Sequence, residues 1–180
     1  MLTLLLLLAL PALLYGDNRK TPSLAIEKVP VKGTVDRFLR RLYSAGFYVE
    51  GIYNDETVLV GTWEGFRGAH LRVHGDGGGM ITDAVVLLDA KDDWIDIRDR
   101  YCDVIKVLSG KWGEPARTAF LFDGQDGGFV NDTAKMLRLI RGLADVHSAW
   151  NLKDGGVRTS VRYDGGKYYI VTEYTPQLFY

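Results

Sequence analysis

The 180-residue chain contains a single cysteine, Cys102, and only five prolines. One cysteine excludes an intramolecular disulfide, so the fold must depend on a buried core. Cys102 lies within a helical pattern of apolar residues, and we expect it to be a small buried side chain. Few prolines beside 21 glycines indicate tight turns between strands rather than a disordered chain.

The sequence also lacks an excess of charge of either sign. Its 22 basic and 23 acidic residues give a formal net charge of −1, whereas proteins that bind nucleic acid usually carry a strong basic excess. We therefore predict no nucleic-acid partner.

Histidine is scarce as well, with three residues in the chain. On a strand, His70 and His74 stand about 14 Å apart, too far to share a metal ion that holds each ligand at about 2 Å. The acidic glycine loop at 123–128 lacks the regularly spaced ligands and the closing glutamate of a calcium loop. We predict neither a metal nor a cofactor.

The chain has no apolar run of the length that spans a bilayer, about 20 residues. Residues 2–15 are almost entirely apolar, and their length suits the core of a secretory signal peptide ending at Gly16. We expect residues 1–16 to be a signal peptide and 17–23 a polar linker, with the mature protein secreted or periplasmic and without a transmembrane anchor. The alternative for the leucine-rich segment is a buried N-terminal helix.

The remaining residues, 24–180, have the pattern of a single α+β domain. A helix opens at the N-cap Thr34 and ends at Gly46, and a longer one runs from about Asp92 to Trp112. A short helix begins at Asn131 or Asp132. Alternation and turn signals predict a short edge segment and eight strands: Leu24–Val31, then Phe47–Tyr53, Thr57–Trp63, Ala69–His74, Met80–Asp89, Arg117–Asp123, Asp145–Leu152, Val157–Tyr163 and Lys167–Thr175.

These elements fall into two similar halves, at about 33–90 and 91–175. Each half is a helix followed by four strands, and the second half inserts the short helix after its first strand. Helices followed by hairpin-linked strands predict antiparallel sheet with the helices packed on one face. The strongly apolar segment Met80–Asp89 is expected to be central and covered on both faces.

The order of several motifs resembles a known group of proteins. Residues 28–38 resemble a "KGIPxxGxxxxF" opening, residues 61–68 a "GxFxGY" hairpin, and residues 111–115 a "KYGKP" helix end. Asn131 and Asp132 with Lys135 and Met136 resemble the late helix of the same group. These motifs are typical of uncharacterised small exported proteins of gut-type Bacteroidetes, and the resemblance covers residues 26–175. It implies an exported α+β fold and carries no catalytic residues.

The layout also resembles the tandem helix-plus-four-strand arrangement of beta-lactamase inhibitor proteins. That likeness is architectural, because this chain lacks the paired cysteines of those inhibitors, and it transfers no activity.

No catalytic residue is predicted, because the glycine runs lack a phosphate-loop context and Ser148 and Ser160 lie within strands. The candidate binding residues are instead polar or aromatic side chains on strand faces: His70, Arg72, His74, Arg158, Arg162 and Tyr169. With Lys167, the arginines and histidines make either a modest basic sheet surface or an ordinary solvated polar face. Tyr168 and Tyr169 point to opposite faces, so one of them is expected to be exposed or covered by something else.

The sequence thus favours an exported, non-enzymatic binding module that acts through its sheet face or hairpin loops. Its ligand is a protein, a peptide or a glycan. One alternative is a hydrolase whose site assembles from His70, His74, His147 and distant acids. Another is a structural component of an envelope or particle, which predicts self-association. The oligomeric state is not predicted.

Overall fold

The computed structural model describes residues 22–53, 56–90, 92–122 and 131–176. The expected signal peptide at 1–16, most of the linker at 17–23 and the acidic glycine loop at 123–128 lie outside these residues. Among the described residues, no helix has both the length and the apolar character needed to cross a membrane.

The predicted α+β class with antiparallel strands is confirmed. Among the residues that the structure describes, eight strands form one sheet in the order β3-β4-β5-β6-β10-β9-β8-β7, and every neighbouring pair is antiparallel. Their bounds are β3 Tyr48–Tyr53, β4 Glu56–Trp63, β5 Phe66–Gly75, β6 Ile81–Ala90, β7 Arg117–Phe122, β8 Ala144–Leu152, β9 Gly155–Asp164 and β10 Lys167–Thr175. The last strand of the chain therefore lies beside β6 in the middle of the sheet.

In the described part of the chain, three helices form where the capping signals predict them. They are α1 (Val35–Ser44), α2 (Trp94–Trp112) and α3 (Asp132–Ile140). In each, the N-cap side chain accepts a hydrogen bond from a backbone N–H of the first turn, which satisfies a donor that the helix leaves free. These N-caps are Thr34, Asp93 and Asn131.

The N-terminal segment differs from the single edge strand expected over Leu24–Val31. It forms a two-stranded hairpin of β1 (Ala25–Ile26) and β2 (Val29–Pro30). Glu27 and Lys28 make the turn with φ values of 45° and 66°, the left-handed geometry of a tight hairpin turn. Pro30 sits at the end of this hairpin, where its missing N–H does least harm.

The helices cover one face of the eight-stranded sheet, which we call the helix face. Phe38 and Leu42 of α1 and Ile97 and Leu108 of α2 belong to the same buried cluster as the inward side chains of the sheet. The largest fully buried side chains of the sheet are Trp63, Trp150 and Tyr174. One core therefore joins both halves of the chain.

Two expectations about burial need correction. Cys102 is exposed, because the buried stripe of α2 runs through Tyr101, Val104 and Leu108 and leaves position 102 on the outer side of the helix. The strand β6 is central as predicted, but only one of its faces is fully covered. Ala84, Val86 and Leu88 are buried on the helix face, whereas Val85 and Asp89 on the other face reach solvent.

Candidate functional site

The candidate site lies on the sheet face opposite the helices, which we call the open face. Strand register places alternate residues of each strand there, and directly paired residues share a face. His70 pairs with Leu87, and Leu87 pairs with Val171. Arg72 pairs with Val85, which pairs with Glu173. Polar side chains of β5 thus stand beside apolar side chains of β6 in the middle of this face.

Two adjoining cavities, of about 470 and 350 Å³, form a groove across the open face. Both are lined by Arg72, Leu87 and Tyr169, so we treat them as one feature and call it the central groove. Each volume falls within the range of about 300–1,000 Å³ that is typical of small-ligand sites.

The groove combines an apolar floor with a charged rim. The apolar lining residues are Val58, Val85, Leu87 and Val171. The polar and aromatic lining residues are Glu50, Tyr53, Glu56, His70, Arg72, His74, Asp83, Asp89, Arg162, Asp164, Lys167, Tyr169 and Glu173. A floor that excludes water below groups that form hydrogen bonds is the usual composition of a binding cleft.

His74 stands between two carboxylates at one end of the groove. Its Nδ1 lies 2.6 Å from Asp83 Oδ1 and its Nε2 lies 3.0 Å from Glu56 Oε2. Partial burial opposes the charge on the ring, but the hydrogen bonds to both carboxylates outweigh it and raise the pKa of His74 above its ordinary value of 6.5. When the ring is protonated, both of its nitrogens donate to these carboxylates, and it then has no lone pair with which to act as a general base.

The other basic groups of the groove also face acids. Arg162 lies 2.7 Å from Glu173, and His70 lies 3.0 Å from Glu50. Arg72 contacts Glu56 at 3.5 Å, and Lys167 approaches Asp89 at 4.0 Å. The modest basic surface considered from the sequence is therefore a surface of mixed charge.

Five of the six candidate binding residues line this groove: His70, Arg72, His74, Arg162 and Tyr169. Tyr169 takes the open face, where it is partly exposed, while Tyr168 is buried on the helix face. The sixth residue, Arg158, lies beside the groove on the same face, where it pairs with Glu173 in the register of β9 and β10.

The acidic half of the lining was not predicted from the sequence. Glu50, Glu56, Asp83 and Asp89 come from three different strands, and only the register brings them next to the bases of β5 and β10. The alternation of Asp83, Val85, Leu87 and Asp89 along β6 carried a signal, because these four share one face of a strand.

Arg158 belongs to a second polar cluster on the open face. His147 Nδ1 donates to Asp145 Oδ1 at 2.6 Å, and Arg158 Nη2 lies 3.5 Å from the same carboxylate oxygen. Ser160 pairs directly with His147 in the register of β8 and β9. Ser160 Oγ and Arg158 Nε are buried and form no hydrogen bond with any described residue.

This cluster contains an acid, a histidine and a serine, but their geometry does not form a nucleophilic site. Ser160 Oγ makes no hydrogen bond to the imidazole of His147 and is closed to solvent. A serine nucleophile needs a base within hydrogen-bond reach and access to its substrate. Within the described ranges, no group of three His, Cys, Asp or Glu side chains has the geometry to hold a metal ion.

Comparisons of the chain with protein-family models, with curated proteins and with solved structures give no significant match.

Proposed function

We propose that the protein is an exported binding module that holds a neutral oligosaccharide in the central groove. The observation that carries this proposal is the groove itself, where an apolar floor lies beneath closely spaced hydrogen-bonding groups of both signs. Such a surface recognises a ligand without a nucleophile, a metal or a cofactor.

The charge balance of the groove favours a neutral ligand. Arg162 and Arg72 already contact carboxylates, so an anionic ligand would have to displace Glu173 or Glu56. A cationic ligand would likewise have to displace Arg72 from Glu56 or Lys167 from Asp89. Hydroxyl groups both donate and accept, and they therefore bind to existing acid–base pairs without separating them.

Tyr169 gives the groove a rigid surface against which a sugar ring can pack. It lines both cavities, in the middle of the groove. Tyr53 provides a second ring at the β3 end, where its side chain covers Gly51 so closely that a Cβ on Gly51 would lie 2.6 Å from the ring. Tyrosine combines a large apolar surface with a polar tip, which suits a ligand with apolar faces and polar edges.

The proposal is tested with a panel of neutral oligosaccharides of β- and α-linked glucose, xylose and mannose, titrated calorimetrically into the mature protein. We expect at least one class to bind, and Tyr169→Ala and Arg72→Gln each to weaken it at least tenfold. The matched controls are Tyr43→Ala on α1 and Arg98→Gln on α2, both exposed, which leave binding unchanged.

Three results would overturn the proposal. Failure of the whole panel, with capture of extended peptides instead, rejects the ligand class. Binding that survives both groove variants rejects the site. Equal losses in the control variants reject a local role for Tyr169 and Arg72.

Export is part of the same proposal, and it rests on the apolar segment at 2–15 followed by Gly16. N-terminal sequencing of the protein recovered outside the cytoplasm should begin at or near Asp17. An intact Met1 on the recovered protein would contradict it.

The finer layout is a proposal as well: two helix-plus-four-strand units, arranged as in beta-lactamase inhibitor proteins. It is supported by the order of the strands, because β3 to β6 follow α1 as consecutive neighbours and β7 to β10 follow α2 in the same way. The two series meet at β6 and β10.

A hydrolase is the second candidate, and the Asp145–His147 pair opposite Ser160 is the observation that favours it. A fluorophosphonate probe labels activated serines and distinguishes the two candidates. We expect no labelling of the folded protein, because Ser160 is buried and without a base. Labelling that disappears in both Ser160→Ala and His147→Gln would establish the hydrolase instead.

A further inference from the structure

The edge strand β3 carries several exposed apolar side chains. In the part of the chain that the structure describes, β3 pairs only with β4. Its exposed side chains include Tyr48, Val49, Tyr53 and Ile52, which is 72% exposed. Proteins usually protect such edges with lysine or proline, and β3 contains neither.

The opposite edge strand, β7, also exposes apolar side chains, with Phe120 47% and Leu121 61% exposed, but part of it is covered by α2. On β7, the rings of Phe120 and Phe122 lie 5.7 and 5.1 Å from the ring of Trp94 in α2. The aromatic side chains of that edge are thus partly engaged within the molecule, whereas Ile52 of β3 is 72% exposed.

Because of a β-bulge in β3, side chains at equal distances from the centre of the strand lie on the same face of the sheet. The register with β4 shifts between Val49 and Gly51, so Glu50 is the extra residue. Tyr48 and Tyr53 pair with Val60 and Glu56, and both tyrosines lie on the open face. Val49 and Ile52 pair with Leu59 and Thr57 and lie on the helix face.

The strand is therefore self-complementary about its centre, between Glu50 and Gly51. If a second copy of β3 runs antiparallel beside the first, Tyr48 stands opposite Tyr53 and Val49 opposite Ile52. Both members of each pair lie on the same face, as a two-fold axis normal to the sheet requires. Glu50 then stands opposite Gly51, so the two carboxylates are not directly opposed, and each keeps its contact with His70.

We propose that two copies of the protein associate through β3, joining their sheets into one continuous antiparallel sheet. Tyrosine pairs and β-branched pairs directly opposite each other stabilise neighbouring strands. On either side of the bulge, the paired strands also satisfy outer backbone hydrogen-bonding groups of both copies.

The area available at this edge sets the expected strength. A buried tyrosine covers about 150–250 Å², and Tyr48 and Tyr53 expose 56% and 62% of their surfaces. Even if all the exposed area of these tyrosines, Val49 and Ile52 is buried in both copies, the interface reaches about 900 Å² in total, below the roughly 1,200 Å² at which stable specific interfaces begin. We therefore expect a weak dimer that dissociates on dilution through the micromolar range.

Cysteine cross-linking tests the register directly. In a Cys102→Ser background, Val49→Cys and Ile52→Cys are prepared as separate proteins. Directly opposed residues have Cα atoms about 4.5–5.5 Å apart, within disulfide reach, whereas Val49 and its own copy stand about 10 Å apart. Under mild oxidation, only the mixture of the two proteins should form disulfide-linked dimers.

Equal cross-linking of either variant with itself would reject this register.

Light scattering across a wide range of concentrations provides a measurement that needs no cysteine. The mass should rise towards that of a dimer, Ile52→Lys should abolish the rise, and Leu137→Lys on α3, also an exposed apolar site, should not. A monomer at every concentration, or a rise that survives Ile52→Lys, would overturn the proposal without bearing on the groove.

Discussion

The two faces of the eight-stranded sheet satisfy their polar groups in different ways. On the helix face, Tyr101 and Ser148 share a hydrogen bond of 2.9 Å, and Thr159 and Thr172 share one of 3.0 Å. These polar groups are enclosed and paired, as a stable core requires. On the open face, the charged groups are paired across strands but remain half-exposed, and Ser160 Oγ has no partner among the described residues.

This contrast separates the face that stabilises the fold from the face that we propose binds a ligand. Apolar burial under the helices supplies most of the folding free energy, because it scales with the area removed from water. Exposed ion pairs contribute little, typically about 0–1 kcal/mol each. The pairs at Arg162–Glu173 and Arg72–Glu56 are therefore poor candidates for a purely stabilising role.

The largest expected effect is on the helix face. Trp63 is completely buried, and Trp63→Ala should lower the free energy of unfolding by about 3–5 kcal/mol, because it leaves a cavity in the core. Denaturant unfolding followed by circular dichroism measures the change. Tyr169→Ala, the matched truncation on the open face, should cost less than about 1 kcal/mol. If both substitutions lower the free energy of unfolding equally, the helix face is not the main source of stability.

A smaller effect is expected from a single buried hydrogen bond. Trp63 Nε1 donates to the Tyr174 hydroxyl at 2.9 Å, and both side chains are fully buried. Tyr174→Phe leaves that donor without an acceptor and should cost about 1–3 kcal/mol in the same unfolding measurement. Tyr43→Phe on the exposed side of α1 is the control. If Tyr174→Phe leaves the free energy of unfolding unchanged, the core relaxes to provide another acceptor for Trp63 Nε1.

On the open face, removing one charge should barely change stability. Arg162→Gln breaks the ion pair with Glu173, and we expect a loss below about 1 kcal/mol because the arginine is half-exposed. The melting temperature in low and high salt checks this expectation, since exposed pairs weaken as salt is added. If Arg162→Gln lowers the free energy of unfolding by more than about 2 kcal/mol, this ion pair stabilises the fold as a buried pair does.

The smallest effect is a pH dependence from His74. Its pKa is raised in the folded protein, so its pairing with Asp83 and Glu56 is fully stabilising below about pH 6.5 and is lost as the pH rises through the folded-state pKa. The stability difference between the wild type and His74→Gln should therefore shrink as the pH is raised. Asp83→Asn removes one of the two carboxylates, so the stabilisation by His74 should be lost at a lower pH than in the wild type. A difference that grows with pH would have the wrong sign for this arrangement.

Much of the fold was predictable from the sequence because helix caps and turns depend on residues that are close together in the chain. Thr34 caps a helix wherever that helix packs, and the glycine pairs at 155–156 and 165–166 mark the hairpins that join β8, β9 and β10. The exposure of Cys102 was mispredicted because one step along a helix turns a side chain by about 100°, which separates it from the buried Tyr101.

The site was only half predictable. His70, Arg72 and His74 are recognisable as one strand face because they alternate within a short segment. The carboxylates of Glu50, Glu56 and Asp83 become their partners through register, which depends on pairing between strands and, for Glu50, on a bulge. Neither feature has a reliable local signal in the sequence.

The most direct test of the central claim maps where a ligand touches the sheet. Amide resonances of the labelled mature protein are followed while a binding oligosaccharide is titrated. We predict that the largest shifts cluster on β5, β6 and β10, around Arg72, Leu87 and Tyr169, and that residues on the outer side of α2 stay unchanged. Shifts confined to the helices, with the groove strands unaffected, would contradict the account.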